Sequence, residues 1–326
     1  HFTIQWEDST IDPARATVIG EVLERGWQHL IEEQGWVAPV SSDRYYLWVF
    51  LDPAMSGSGY TTTYTTDEFP QGYPVTYLSP MYYSEYEPDF ALSVAVHEFG
   101  HMIQFAMADW RIAEQNWYWE ASAEWMAELS VPEIDTYALS TYWYVRSPEL
   151  AYDTMENFHQ YGMLALNAWL DEQVGEEGFR QIWEQAPAQG GWDGPIEAVV
   201  GMDFPSVMQG FTGSYAAKSL RESSLYEQLD IESLEGELTT VRIRGIYGTS
   251  YFNVPEPQNL QIEGPAVAAW VVGNTWSTEV PSTKATLALT ATEASGEILL
   301  RWGEPTKESD TALESGPLDS VQQDKE

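Results

Sequence analysis

Cysteine is absent from the 326 residues, which excludes disulfides, thiolate metal sites and cysteine-nucleophile chemistry. Lysine is nearly absent too, with only Lys218, Lys284, Lys307 and Lys325 in the chain. Against 51 Asp and Glu stand 14 Lys and Arg, for a net charge of −37. Recognition of a phosphate backbone then has no electrostatic footing, and nucleic acid is not an expected partner. Anionic membrane surfaces are disfavoured for the same reason. No apolar run approaches the ~18 residues of a spanning helix, so no membrane insertion is expected. The segment His1-Phe2-Thr3-Ile4-Gln5-Trp6 lacks the build of a leader and reads as the first strand of a mature, secreted protein.

Histidine is also scarce, five in all, yet two fall in one pentapeptide, His97-Glu98-Phe99-Gly100-His101. The apolar runs on either side, 91–96 and 102–107, suit a buried helix bounded by Pro88 and Asp109. Histidines four apart lie on one helical face and can converge on a single Zn²⁺. Glu98, rotated about 100° from His97, can reach beside such a metal and take a proton from water. Such a site needs a third protein ligand. Downstream, Glu120, Glu124 and Glu128 recur every four residues and share one face of an aromatic, alanine-rich helix. The alternative, a solvated acidic stripe, sits poorly with a helix otherwise so apolar.

His-Glu-x-x-His, then eighteen residues (102–119), then Trp117-x-x-Glu120-x-x-Ala123 resembles the gluzincin zinc metallopeptidases. Thermolysin and the aminopeptidase N family share this His-His-Glu plan. The local wording, HEFGHMIQF followed by WYWEASAEWMAE, is similar to hyicolysin-type and myxobacterial secreted metalloproteases, over roughly residues 1–215. The resemblance implies zinc on His97, His101 and Glu120, Glu98 as general base, and Glu124 orienting a zinc histidine. It also implies an oxyanion donor near the Y-x-x-G position of the aminopeptidases. Counted from Gly162 this is His159, with Tyr161 the neighbouring alternative and Tyr144 and Tyr152 further candidates. The G-x-M-E-N segment of those aminopeptidases is missing upstream; Met155-Glu156-Asn157 spells part of it, after the motif and without the glycine. The expected activity is therefore endopeptidase, with an exopeptidase or an inactive zinc-fold binding module as alternatives. A peptide or protein substrate and a monomer are expected. The excess of acid reads as solubility by self-repulsion, or as a high-salt or extracellular habitat with Ca²⁺ as a second candidate ion.

The expected fold class is α+β. Strands at 2–6, 44–51 and 73–78, a helix opening at Asp12-Pro13 and the motif helix suggest a zincin-like catalytic domain over 1–220. Helices at 136–145, 157–173, 176–186 and 203–220 continue it. In the gluzincin plan an edge strand pairs with substrate backbone, and 73–77 is the candidate here, with an internal strand as the equal alternative. Residues 221–237 read as a linker, 238–302 as an accessory β-sandwich of short strands, and 303–326 as a disordered acidic tail.

Overall fold

Alternation of buried and exposed side chains makes Leu47–Leu51 a two-faced strand: Leu47, Val49 and Leu51 are buried, while Trp48 and Phe50 turn the other way. It is β2 of a four-stranded sheet formed by β1 (Phe2–Gln5), β2, β3 (Gly59–Tyr64) and β4 (Tyr73–Leu78), in the order β1-β2-β4-β3. Between β1 and β2 runs α1 (Pro13–Trp27), capped by Asp12, whose carboxylate accepts from Ala14 N, with Pro13 in its first turn. The computed structural model describes residues 1–7, 11–70, 72–79, 88–108, 117–134, 137–186, 191–234 and 238–302. The tail 303–326 and the stretch 109–116 within the eighteen-residue gap lie outside the described residues.

β1 and β4 both run parallel to β2, and β3 returns antiparallel along β4. This decides between the two readings of 73–77. The 73–77 strand is interior, hydrogen-bonded on both sides, and the edge strand is β3. A hairpin between β3 and β4 places the second strand inside because β4 continues the parallel pairing with β2.

The inner face of this sheet packs on α2 (Pro88–Met107), which carries the His-Glu-x-x-His motif, and α2 packs on α3 (Trp117–Ser130). Almost every residue of α3 is buried, including Trp117, Tyr118, Trp119 and Trp125. That explains its apolar character all round. α4 (Tyr137–Val145), α5 (His159–Gly162), α6 (Leu164–Glu184), α7 (Asp193–Val200) and α8 (Phe204–Ala216) complete the helical part. α6 is interrupted at Gly175, whose φ of 71° is the left-handed break between the two helices read from the sequence. α7 was not foreseen.

Among the described residues eight short strands follow: β5 (Glu232–Ser233), β6 (Leu238–Ile243), β7 (Thr249–Val254), β8 (Leu260–Glu263), β9 (Ala266–Val272), β10 (Thr275–Ser277), β11 (Ala285–Ala291) and β12 (Gly296–Trp302). They form sheets β10-β9-β11-β7-β5 and β6-β12-β8, with Phe252, Trp270, Leu287, Ile298 and Leu300 in the core between them. The fold is thus mixed α+β. Among the described residues no helix is long and apolar enough to cross a membrane.

The segment read as a linker is tied to both sides. Tyr226 is buried in the helical core, and Glu232–Ser233 pairs with β7. The sandwich also supplies polar partners to the helices. Tyr144 and Tyr251 share a hydroxyl hydrogen bond of 2.7 Å in the interior, Thr212 meets Thr290 at 3.2 Å, and the Gln209 amide donates to Ala268 O at 2.6 Å. Each buried group left without its partner costs roughly 1–3 kcal/mol, from a total stability of only about 5–15 kcal/mol. A chain ending at Arg221 should therefore be much less stable or insoluble, as measured by thermal unfolding of the soluble fraction. A soluble truncated chain with an unchanged midpoint would show that these contacts carry no stability.

Candidate metal centre

The four-residue spacing of His97 and His101 on α2 brings their rings to a centroid separation of 4.7 Å at 89°. α3 crosses the same face and contributes Glu120, whose Oε2 lies 3.2 Å from His97 Nε2 and 3.5 Å from His101 Nε2. Among the described residues these are the one group of three His, Asp or Glu side chains whose ligand atoms all lie within 4.8 Å. Neighbouring ligands of a tetrahedral zinc, at bond lengths of about 2.0–2.1 Å, lie about 3.3 Å apart. The donor set and its spacing therefore fit a divalent ion. Among the described residues no second cluster of this kind occurs.

The remaining ring nitrogens point away from this centre. His101 Nδ1 lies 2.7 Å from Gln104 Oε1, and the Gln104 amide donates to Trp119 O at 2.9 Å and Ser122 Oγ at 3.0 Å. His97 Nδ1 faces Glu124 Oε1 at 3.5 Å. With each Nε2 turned to the centre, a bound ion would leave the proton on Nδ1, which His101 directs to Gln104 and His97 turns toward the Glu124 carboxylate. Gln104 escaped the sequence reading, although its i+3 position from His101 on one helix was a usable signal.

Glu98 is buried and held from the edge strand. Thr61 Oγ1 donates to Glu98 Oε2 at 2.8 Å and lies 3.0 Å from Glu98 O and 2.6 Å from Thr76 Oγ1. Gly59 leaves the space above the carboxylate, since a Cβ there would come within 2.9 Å of Glu98 Oε1. Nothing local in the sequence marked Thr61 or Gly59. Burial pushes the Glu98 carboxyl above the ordinary range, while the two histidines and Thr61 pull it back.

The structure separates the two proposed donors. Tyr161 turns toward the cluster, its ring 6.1 Å from that of His97 and its hydroxyl hydrogen-bonded to Glu120. Burial, then the charges of Glu120, Glu124 and Glu98, raises the phenol far above its usual value, so it stays protonated and can donate. His159 is buried elsewhere, its ring 5.8 Å from Tyr144 and bonded to the backbone at Trp143. Burial lowers it to about 4, so it is neutral. Left-handed Asn157 and Phe158 (φ 55° and 61°) turn the chain just before α5 and set which side chain faces inward. Gly162 lets α5 lie against α4, because a Cβ would meet Tyr144 N at 2.3 Å. Tyr144 and Tyr152 are also placed away, their hydroxyls bonded to Tyr251 and Asp193.

Without a metal the cluster holds protons. Burial lowers His101, but the charge and hydrogen bond of Glu120 outweigh it and raise the imidazole to about 9; Glu120 is held far below the carboxylate range despite its burial. The folded value lies above the 6.5 of a free histidine, so this pairing stabilises the metal-free fold fully below about pH 6.5 and fades as pH rises through about 9. A divalent ion takes only neutral imidazoles, so its affinity should rise across the same window, about tenfold per pH unit for each proton displaced. Calorimetric titration of the metal-free protein at several pH values checks this. A pH-independent affinity would mean that no proton is displaced.

The chain belongs to a family of unknown function (DUF6055), which matches residues 18–203 and so spans β2 to α7, including the whole cluster. No curated protein and no solved structure matches it.

Proposed function

We propose that this protein is a secreted zinc metallopeptidase with a zincin-like catalytic part, cutting peptide bonds within a polypeptide. The observation that carries the reading is the convergence of His97, His101 and Glu120 at zinc-ligand spacing, with Glu98 on the next helical position. Bound there, the metal would polarise the scissile carbonyl and lower the pKa of a water. Glu98 takes the proton of the attacking water and passes it to the leaving amine, a role helped by a pKa raised by burial. Thr61 aims the carboxylate. Tyr161 donates its hydroxyl to the developing oxyanion. Glu124 and Gln104 hold the two imidazoles in the ligating tautomer. The outer edge of β3, which carries Thr61, offers backbone groups on which an extended substrate can pair as an added strand. That mode reads the backbone and leaves both ends of the substrate unconstrained, which favours internal cleavage.

Metal analysis of the purified protein, with mass spectrometry of the products from an unstructured protein, tests the reading. Internal cleavage that disappears with a chelator and returns with zinc is the expected result. A stoichiometric metal without cleavage would leave an inactive zinc-fold binding module. Products that differ by single terminal residues would make it an exopeptidase.

A further inference from the structure

The sheet that positions Glu98 has a second face. Opposite the helices, Trp48 and Phe50 of β2, Tyr73 and Tyr77 of β4 and Tyr60 and Tyr64 of β3 share one side by register. Their rings form a ladder: Phe50 stacks on Tyr77 at 5.3 Å and 20°, and Tyr77 on Tyr60 at 4.9 Å and 14°. Trp48, Tyr60 and Tyr64 remain 41%, 47% and 49% exposed, far more than a core ladder would leave. Over this face lies a cavity of about 390 Å³, whose lining includes Tyr45 and Phe69. A second cavity of about 510 Å³ shares Phe50 and Tyr77 with the first and is also lined by Glu7 and Asp52.

The chemistry of the lining narrows the occupant. It is almost wholly aromatic, with Val75 its one aliphatic side chain, whereas a groove for an apolar helix usually mixes Leu, Ile and Met. Ring faces bind either sugar C–H groups or cations. A sugar also needs free hydrogen-bonding groups among the rings. Here the four phenol hydroxyls that line the first cavity already have partners: Tyr45 with Glu68 at 2.6 Å, Tyr64 with Tyr77 at 3.0 Å, and Tyr73 with Tyr46 O. Charge points the same way. Glu68 stands at one end and Glu7 and Asp52 at the other, on a chain of net charge −37. The cation at the rim, Arg44, already behaves as such an occupant would, 5.1 Å over the Tyr45 ring and 3.4 Å from Glu68. A second copy of this chain, equally acidic, would be repelled. Two neighbouring cavities that share Phe50 and Tyr77, with acid at both ends, exceed one small ammonium ion and suit an extended chain.

We propose that the outer face of this sheet is a docking groove for a basic polypeptide segment, whose lysine or arginine side chains lie over the Trp48 and tyrosine rings. The inference is independent of peptidase activity. The test is fluorescence anisotropy of a labelled Gly/Ser peptide carrying several lysines, on full-length protein with Glu98→Gln so that the probe stays intact. Its twin carries norleucine, which keeps the aliphatic length and removes the charge. The lysine peptide should bind at low salt, and the norleucine peptide at least about tenfold more weakly. Trp48→Leu keeps every charge and most of the apolar area, and should weaken the lysine peptide by about tenfold. Tyr64→Leu is a second exposed position, to be used if Trp48→Leu lowers the unfolding midpoint. Binding unchanged in both folded variants would mean diffuse attraction to an acidic protein and would overturn the proposal. So would equal binding of the norleucine peptide, preferred binding of a neutral oligosaccharide, or concentration-dependent dimerisation that Trp48→Leu abolishes. None of these outcomes touches the metal centre, so the groove and the proposed activity stand or fall separately.

Discussion

Glu98→Gln should lower kcat for peptide hydrolysis by about 10²–10⁴, the usual worth of a general base, while metal content stays stoichiometric. Glutamine keeps the volume and the contact with Thr61 but cannot take a proton. Because Glu98 is a neighbour of the cluster rather than one of its three candidate ligands, the metal-loaded unfolding midpoint should hardly move. The companion change is Thr61→Val, an exchange of nearly equal size that removes the hydroxyl bonded to Glu98. A hydrogen bond to a charged group contributes about 1.5–3 kcal/mol. If most of that is expressed in the transition state, kcat falls roughly 10–100-fold with KM little changed, and Thr61→Ser restores it. Turnover retained in metal-loaded Glu98→Gln would remove the residue from the mechanism. A fall in Thr61→Ser as large as in Thr61→Val would instead assign Thr61 to packing.

Much of this centre was legible because it is built from helical spacing, a local property. His97, His101 and Glu98 lie on one helix, and Glu120 opens the next with room for a turn between. Both helices could be located from apolar runs and capping residues, and Gln104 could have been added by the same rule. Legibility ended where side chains meet through tertiary pairing. Thr61 and Gly59 lie almost forty residues before Glu98, and no periodicity links them to it. Which strand is the edge depends on sheet order, set by β4 pairing parallel to β2 while β3 folds back outside. An internal strand and an edge strand carry the same alternation. The contacts of the 221–234 stretch were hidden for a related reason. Its polar composition hid Tyr226, one buried ring that anchors the segment to the helical core.

The donor is the sharpest case, because two residues competed within one turn. Positions two apart on a helix point about 200° apart, so the start of α5 decides which faces the cluster. That start follows left-handed backbone at Asn157 and Phe158, a conformation few non-glycine residues adopt and one no pattern announced. The two side chains therefore separate by experiment. Tyr161→Phe removes only a hydroxyl and should lower kcat by about 10²–10³, as loss of one oxyanion donor does, with KM and metal content nearly unchanged. His159→Ala should act on stability instead. It opens a cavity beneath Tyr144 and removes a buried ring, a loss of a few kcal/mol visible in the unfolding midpoint, with turnover per folded molecule preserved. The neutral state of His159, lowered to about 4 by burial, leaves it without charge to offer an oxyanion at working pH. If His159→Ala slows turnover at an unchanged midpoint while Tyr161→Phe does not, α5 faces the cluster the other way round in the active protein.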